Sequence, residues 1–381
     1  MKTYNNLREK IIDKSNLRQA HFNARKDKTF YKEVQMVDSN LDYYIDEIHN
    51  MLKSGAYKIE PSDYTISTIN DKGKERILAK LTYYPHRIIQ RAVMQILEPI
   101  FMEVFCNHTC ASLKGRWIHY AYKLITKYLK DKEGTKYCLK IDIKKFYPSI
   151  NHETLKKLLR KKIRCEKTLK YLDDTIDSTG WETWIPIGSY LSQYLANYTL
   201  AYFDHRMKEK VRCKYIVRYM DDIVILSDSK EKLRNILKEM WEYLEWLKLK
   251  IKPNRQIFPT HKRWVDFVGY RFFGEYTLLR KGTFKRMKKR IKEILKTKTN
   301  QKKLLNYSER CSLNSYVGWI IYCNHRRLYE KRIEPTIRSL NRYYFYVITN
   351  KNKKKLEKYY KALIKKEKFY ILSITPWQQS F

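Results

Sequence analysis

The stretch YIVRYMDDIVIL, Tyr215 to Leu226, decides the reading of the fold. Two β-branched runs, Tyr215 to Tyr219 and Ile223 to Leu226, are joined by a short polar tip, which is the pattern of a tight β-hairpin. Strands this apolar are expected to be buried, and Asp221 and Asp222 then lie together at the edge of an apolar sheet. Like charges repel there, and desolvation disfavours ionisation. A bound cation resolves the conflict, because Mg²⁺ takes one or two carboxylates and completes its shell with phosphate oxygens and water. The plainer account is a turn that uses Asp for its turn chemistry.

A third carboxylate weighs against the plainer account. In YCLKIDIKKFYPSI, Tyr137 to Ile150, Asp142 interrupts another apolar strand just before a basic, aromatic turn containing Pro148. In-line phosphoryl transfer with two metal ions needs carboxylates a few ångströms apart in space, however far apart in sequence. Asp142, Asp221 and Asp222 meet that need. They are expected to be catalytic and to hold two Mg²⁺ ions, with Ile143 counted beside them at the metal site.

On these residues the chain resembles the reverse transcriptases, and its two acidic strands look like palm motifs A and C of that family. The resemblance runs from about Ser15 to Phe272 and is weaker beyond. It implies an α+β right-hand polymerase of fingers, palm and thumb, with an antiparallel palm sheet and a helical thumb. The implied reaction is RNA-directed DNA synthesis. In the family an aromatic residue five positions after the first Asp stacks under the sugar and excludes a 2′-hydroxyl, a place held here by Tyr147. Tyr219 and Met220 are expected at the template and primer.

Between the acidic strands lies WIPIGSYLSQYLANYTL, Trp184 to Leu200, resembling the motif that closes over the templating base pair. Most members carry Gln-Gly there and Ser-Pro four residues on, whereas this chain has Ile187, Gly188, Ser192 and Gln193. That variant resembles the reverse transcriptases of diversity-generating retroelements, which copy a template RNA with errors at adenines. Exchanging Gln for Ile187 removes a hydrogen-bond contact to the incoming nucleotide, and such losses relax discrimination more than lost methylenes do. Ile187, Gly188 and Gln193 are therefore expected at the dNTP. Defence-associated bacterial reverse transcriptases share this palm and are the nearer alternative. An RNA-binding scaffold with a vestigial site is the distant one.

The segment KERILAKLTYYPHRIIQRAVMQILEPIF, Lys74 to Phe101, resembles the fingers, with Lys74 and Arg76 placed to meet a triphosphate and Arg87 and Gln90 opening the next helix. Arg116, in a Gly-Arg turn, is expected at the template. In LKLKIKPNRQIFP, Leu247 to Pro259, many polymerases keep a Lys that protonates the leaving pyrophosphate; Arg255 is the match taken here. A guanidinium holds its proton too tightly for efficient acid catalysis, so electrostatic help is expected from it. VDFVGYRF, Val265 to Phe272, resembles the primer grip with Gly269 at its turn, and an ordinary hairpin glycine explains that position nearly as well.

Composition agrees with a nucleic-acid partner. The chain carries 80 Lys and Arg against 40 Asp and Glu, a formal net charge of +40, and repels itself unless a polyanion covers it. Aromatic residues make up 14% of the chain, supplying stacking platforms for template RNA and an RNA/DNA heteroduplex. From Arg280 to Lys303 there are twelve cations and one acid on helical spacing, which looks like a thumb helix gripping duplex phosphates, with Lys285 and Lys289 on it. A solvated basic face is the simpler account. The expected partners are template RNA, the heteroduplex, dNTPs and a small basic accessory protein.

The expected domains are an N-terminal helical extension over 1–55, fingers and palm over 56–275, and a basic thumb with the C-terminal region over 276–381. Ser15 reads as the cap of a basic helix, and Leu41 to Gly55 as a second helix ending at glycine. An amphipathic pair over Ser312 to Arg332 and a basic helix over Asn350 to Lys368 follow. Neither Cys106, His108 and Cys110 nor Cys311, Cys323 and His325 completes a four-ligand zinc pattern. Seven cysteines without paired spacing point to reduced thiols, and no signal peptide or membrane-spanning stretch is legible, so a cytoplasmic protein is expected. No Asp occurs after Asp266, so no fused ribonuclease H or endonuclease site is expected.

Overall fold

The computed structural model describes residues 2–71, 73–301, 307–324 and 330. It mixes helices with antiparallel sheets, as a right-hand polymerase fold requires, and divides into two compact units, 1–259 and 260–381.

The first unit opens with four helices: α1 (Leu7–Ile12), α2 (Lys14–Ala24), α3 (Lys32–Ser39) and α4 (Leu41–Ser54). The cap of α2 is Asp13, whose carboxylate accepts the Ser15 and Asn16 amides, and not Ser15 as the sequence suggested. An ionised carboxylate at this position also interacts favourably with the positive end of the helix dipole. Helix α4 ends where expected, at Gly55 with φ 79°, a value glycine adopts without a Cβ clash. A two-stranded hairpin of β1 (Tyr64–Asp71) and β2 (Lys74–Leu81) follows, and then α5 (Ile88–Met102). Helix α5 is apolar on most of its circumference, burying Ile88, Ile89, Ala92, Val93, Met94 and Leu97 among others, and it packs on α1, α2 and the later helix over Tyr190–Thr199. Each of the Ile, Val, Met and Leu side chains contributes about 1.5–3 kcal/mol when fully buried.

After α6 (Ile118–Tyr128) come β3 (Tyr137–Asp142), the one-turn α7 (Phe146–Ser149), α8 (His152–Leu159), α9 (Glu166–Asp177), α10 (Tyr190–Thr199) and α11 (Ala201–Glu209). The hairpin strands β4 (Tyr215–Tyr219) and β5 (Asp222–Ser227), then α12 (Lys230–Trp246) and β6 (Gln256–Pro259), complete the unit. The sheet order is β4-β5-β3-β6, antiparallel throughout. Its strands read as near-continuous apolar runs because helices cover it: α12 packs on β3, β5 and β6, and α6 on β4.

In the second unit β7 (Val265–Phe267), β8 (Tyr270–Phe272) and β9 (Thr277–Leu279) form a meander. The β7–β8 turn has positive φ at Val268 (42°) and Gly269 (86°), as a type I′ hairpin demands. A Cβ at Gly269 would come within 2.7 Å of the Trp319 ring, so close packing as well as backbone conformation requires glycine. Helix α13 (Lys281–Gln301) buries Met287, Ile291 and Ile294 at helical spacing, and α14 (Tyr307–Ile320), which packs on it, buries Leu313, Val317 and Ile320. Lys285, Arg286, Lys288, Lys289 and Lys292 are exposed on α13. The C-terminal half of the expected amphipathic pair and the expected basic helix over 350–368 lie largely or wholly outside the described residues, as does His325.

Candidate active site

Register builds the centre of the site. Strand β5 pairs with β3 so that Asp222 lies directly across from Asp142, and the Ile143 amide donates to the Asp221 carbonyl at 3.2 Å. Residues directly opposed in an antiparallel pair share a face, so pairing brings the two acidic segments together. Between β4 and β5 the turn is Met220-Asp221, with Met220 at φ 55°. A positive φ at the first central position is a feature of tight hairpin turns usually met by glycine, and on a side chain as large as Met it stores strain. Ile143 itself is buried in the core, and its neighbour across the sheet edge is Ile251.

Burial pushes the Asp221 carboxyl up to about 6, and the Asp142 carboxylate within hydrogen-bond reach adds to the rise. The sequence suggested a like-charge conflict between Asp221 and Asp222, and in the structure it falls between Asp221 and Asp142. Asp222 shares a face with its partner Asp142, and its Oδ2 lies 3.7 Å from Lys140 Nζ on that same face of β3. Among the described residues no three His, Cys, Asp or Glu side chains are gathered as a metal cage. The expected triad is thus a facing pair, Asp142 and Asp221, with Asp222 turned to a lysine. A carboxylate pair suits Mg²⁺, which usually binds one or two carboxylates and takes its remaining ligands from water and substrate phosphate.

The cation at Asp142 is Lys252, three residues before the expected Arg255. Lys252 Nζ pairs with Asp142 Oδ1, and the Lys252 amide donates to the Asp142 carbonyl at 2.8 Å. The segment 250–252 runs beside 142–144, with Lys144 N donating to Lys250 O at 2.7 Å, so chain direction brings Lys252 to the acid. Arg255, three residues on, places its guanidinium 4.5 Å from the centre of the Trp241 ring instead.

Tyr147 follows β3 on α7 and joins the pair from the side. Its hydroxyl lies 3.9 Å from Met220 Sδ, and burial, with the nearby Asp221 charge, raises its pKa while Arg76 opposes the rise. Arg76 extends from β2, whose hairpin docks on the Ile187-Gly188 segment: the Ala79 amide donates to Ile187 O at 3.1 Å. Gly188 has φ 133°, and a Cβ there would stand 3.0 Å from Ala79 O, so the docking depends on glycine. Ser189 Oγ donates to Gln90 Oε1 at 2.8 Å and links this segment to α5. Gln193 is half-buried on α10, and Lys74 opens β2. Arg87 Nε donates to Leu81 O at 3.2 Å and fixes the exit of β2.

Other expected residues have structural partners. Arg116 Nη1 donates to the Cys106 carbonyl at 2.7 Å, closing the loop after α5. Tyr219 is half-buried, and burial raises its pKa. His108 Nε2 lies 3.4 Å from the Asp204 carboxylate. None of the seven cysteines is in a disulfide, and no helix among the described residues is long and apolar enough to cross a membrane. Gly269, Lys285 and Lys289 belong to the second unit. Sequence reasoning missed Lys252, Lys140 and the fully buried Arg218. A cation inside the apolar run YIVRY was the available signal for the last, since such a group is buried only with partners.

Residues 66–272 match the family described as reverse transcriptase (RNA-dependent DNA polymerase), more than half of the chain. Protein YkfC of Escherichia coli (strain K12) is 24% identical over 184 residues, 46% of this chain and 48% of that protein. The chain thus spans about half the length of this curated relative. Among solved structures, apo telomerase from Candida tropicalis aligns over 82% of this chain and 60% of its own, at 12% identity and a TM-score of 0.47. Telomerase from Candida albicans with a fragment of telomeric RNA aligns over 72% and 54%, at 12% identity and a TM-score of 0.44. The family match includes β3, the β4–β5 turn and the paired acids they carry, and the chain belongs to the reverse transcriptase (RNA-dependent DNA polymerase) family.

Proposed function

We propose that the chain is an RNA-directed DNA polymerase that extends a primer on template RNA with dNTPs. The observation that carries this reading is the facing pair Asp142 and Asp221, with the Tyr147 ring beside them, in a chain of this family. Asp142 and Asp221 are the groups that hold Mg²⁺, with Asp222 and the Ile143 backbone in support. When bound, two such ions supply the Lewis acidity that activates a primer hydroxyl and neutralises a leaving pyrophosphate.

The chain's own residues do the rest. Tyr147, fixed between Met220 and the palm, excludes a 2′-hydroxyl from the sugar's place and so favours dNTPs. Arg76, on the docked hairpin, meets the triphosphate with Lys74. Lys252 is held at Asp142 and is available to a phosphate once that carboxylate turns to a metal ion. The exposed cations of α13, Lys285 and Lys289 among them, bind duplex phosphates.

The finer reading is an error-prone enzyme of a diversity-generating retroelement, copying a structured RNA in the cytoplasm with a small basic accessory protein. Ile187, where most of the family has Gln, supports it. A template and variable repeat pair in the flanking DNA supports that reading, and a solitary gene beside a structured RNA gene replaces it with phage defence. The polymerase reading is tested by primer extension with Mg²⁺ on an RNA template. Asp221→Asn is expected to abolish dNTP incorporation while RNA binding stays within about twofold, and full activity in that variant refutes the assignment.

A further inference from the structure

Arg218 is a buried cation with its donors aimed in several directions. It lies in β4 immediately before Tyr219, and its side chain is 0% exposed. Its Nε donates to both Asp204 carboxylate oxygens, at 2.9 and 3.0 Å, and its Nη2 to Asp204 Oδ2 at 2.5 Å. Its Nη1 donates to Asn197 Oδ1 and to the backbone carbonyl of Met220, each at 3.1 Å. Thr109 Oγ1 donates to Asp204 Oδ2 at 2.7 Å, and Asn197 Nδ2 to Ala111 O at 2.8 Å. The strand residue itself is clamped, since its amide donates to His108 O and its carbonyl accepts from Cys110 N, both at 2.9 Å.

The energetic worth of this knot does not explain its presence. Burial alone would raise the Asp204 carboxyl, and Arg218 together with His108 instead holds it well below the usual carboxylate range. A buried ion pair nevertheless gains little over apolar side chains of the same volume, because both charges give up water. Apolar side chains cannot supply direction, and direction is what the Met220 carbonyl receives. The peptide bond is planar, so anchoring the Met220 oxygen orients the Asp221 amide and the Cα that carries the carboxylate. The anchored peptide follows a residue at φ 55°, a conformation that a non-glycine residue keeps only where its surroundings hold it. Asn197 lies on α10, the helix that begins just after Gly188 and Ser189, so one guanidinium fixes the acid turn and that helix together.

We propose that Arg218, keyed by Asp204 and Asn197, is the positioning residue that holds the Met220-Asp221 peptide in the orientation that faces Asp221 to Asp142. The proposal rests on the reading of that pair as the metal and nucleotide site. Its test separates the two. The full-length chain is prepared as wild type, as Arg218→Lys, as the volume-matched double variant Arg218→Met with Asp204→Leu, and as Leu17→Ala, a core truncation away from the turn.

Three readouts are taken on each: melting temperature, hydrogen exchange over residues 219–222, and Mn²⁺ affinity by electron paramagnetic resonance. Single-nucleotide primer extension gives kcat and KM. The Arg218 variants are expected to exchange faster at the turn and to bind Mn²⁺ about tenfold more weakly. Their kcat is expected to fall on the order of a hundredfold with KM for dNTP nearly unchanged, the scale of a misplaced catalytic group. Leu17→Ala is expected to melt lower with turn protection and Mn²⁺ affinity intact. Wild-type turn protection and Mn²⁺ affinity in whichever Arg218 variant folds overturns the proposal, as does an equal loss in Leu17→Ala. A wild-type chain inert in primer extension overturns the polymerase reading, while exchange and Mn²⁺ binding still decide the role of Arg218.

Discussion

The Lys252 ammonium is paired with the Asp142 carboxylate across 110 positions of sequence, so the palm carries a built-in counter-ion for one of its two facing acids. A divalent ion held at Asp142 would compete with this ammonium for the carboxylate. Lys252→Met is therefore expected to tighten Mn²⁺ binding in the absence of nucleotide and to lower kcat about tenfold or more, as removal of a proton-donating or charge-stabilising group does. Arg255→Met loses only its stacking on Trp241, worth about 0.5–1 kcal/mol, and is expected to leave kcat near wild type. Equal kcat losses in both variants restore Arg255 to the chemistry.

The raised Asp221 carboxyl makes the metal-free fold sensitive to pH in a definite direction. Its folded value of about 6 lies above the ordinary 3.8, so the folded state binds more protons in that interval. The associated stability is fully present below about pH 4 and is lost as pH rises through about 6, a change on the order of 3 kcal/mol. In chelator, Asp221→Asn is expected to flatten the fall in melting temperature over that window and to melt higher than wild type at pH 7. A wild-type slope in the Asn variant contradicts the assignment.

Tyr147 tests sugar selection. Among the described residues its hydroxyl is within hydrogen-bonding reach of the Met220 sulfur alone, at 3.9 Å, a weak contact, so the ring is the part that matters. Tyr147→Phe is expected to keep its preference for dNTP over rNTP within about threefold. Tyr147→Ala is expected to lose that preference on the order of a hundredfold, measured as the ratio of kcat/KM values. Unchanged discrimination in the Ala variant removes Tyr147 from the sugar site.

Fidelity is read from Ile187. Its carbonyl is held by the Ala79 amide, so a change of side chain leaves the docking of the β1–β2 hairpin in place. Ile187→Gln restores a polar group where the chain has none and is expected to lower the error rate about tenfold, most at template adenines, in sequenced cDNA. Equal error spectra exclude Ile187 as the source of infidelity.

Much of the palm was legible because its signals are periodic and local. The YMDD hairpin, the Asp142 strand and α4 with its terminal Gly55 all follow from apolar spacing and end chemistry. Errors arose where tertiary contacts choose between neighbours. Asp13 outcompetes Ser15 as the α2 cap because its carboxylate reaches two amides. Lys252 reaches Asp142 while Arg255 does not, because the irregular segment before β6 takes its path from pairing with 142–144, which no local pattern encodes. Arg218 shows the converse: its oddity was visible in sequence, but its partners on α10 and α11 were not.

The pairing of Asp142 opposite Asp222 also restricts how this chain can change in length. Side chains along a strand alternate between faces, so gaining or losing one residue within Tyr137–Asp142 turns the acid into the hydrophobic interior. Natural variation and engineering can therefore add or remove residues freely in the surface connections but only as compensated pairs inside these strands. The spacing of the six residues of β3 is as much a requirement of the chemistry as the aspartate at their end.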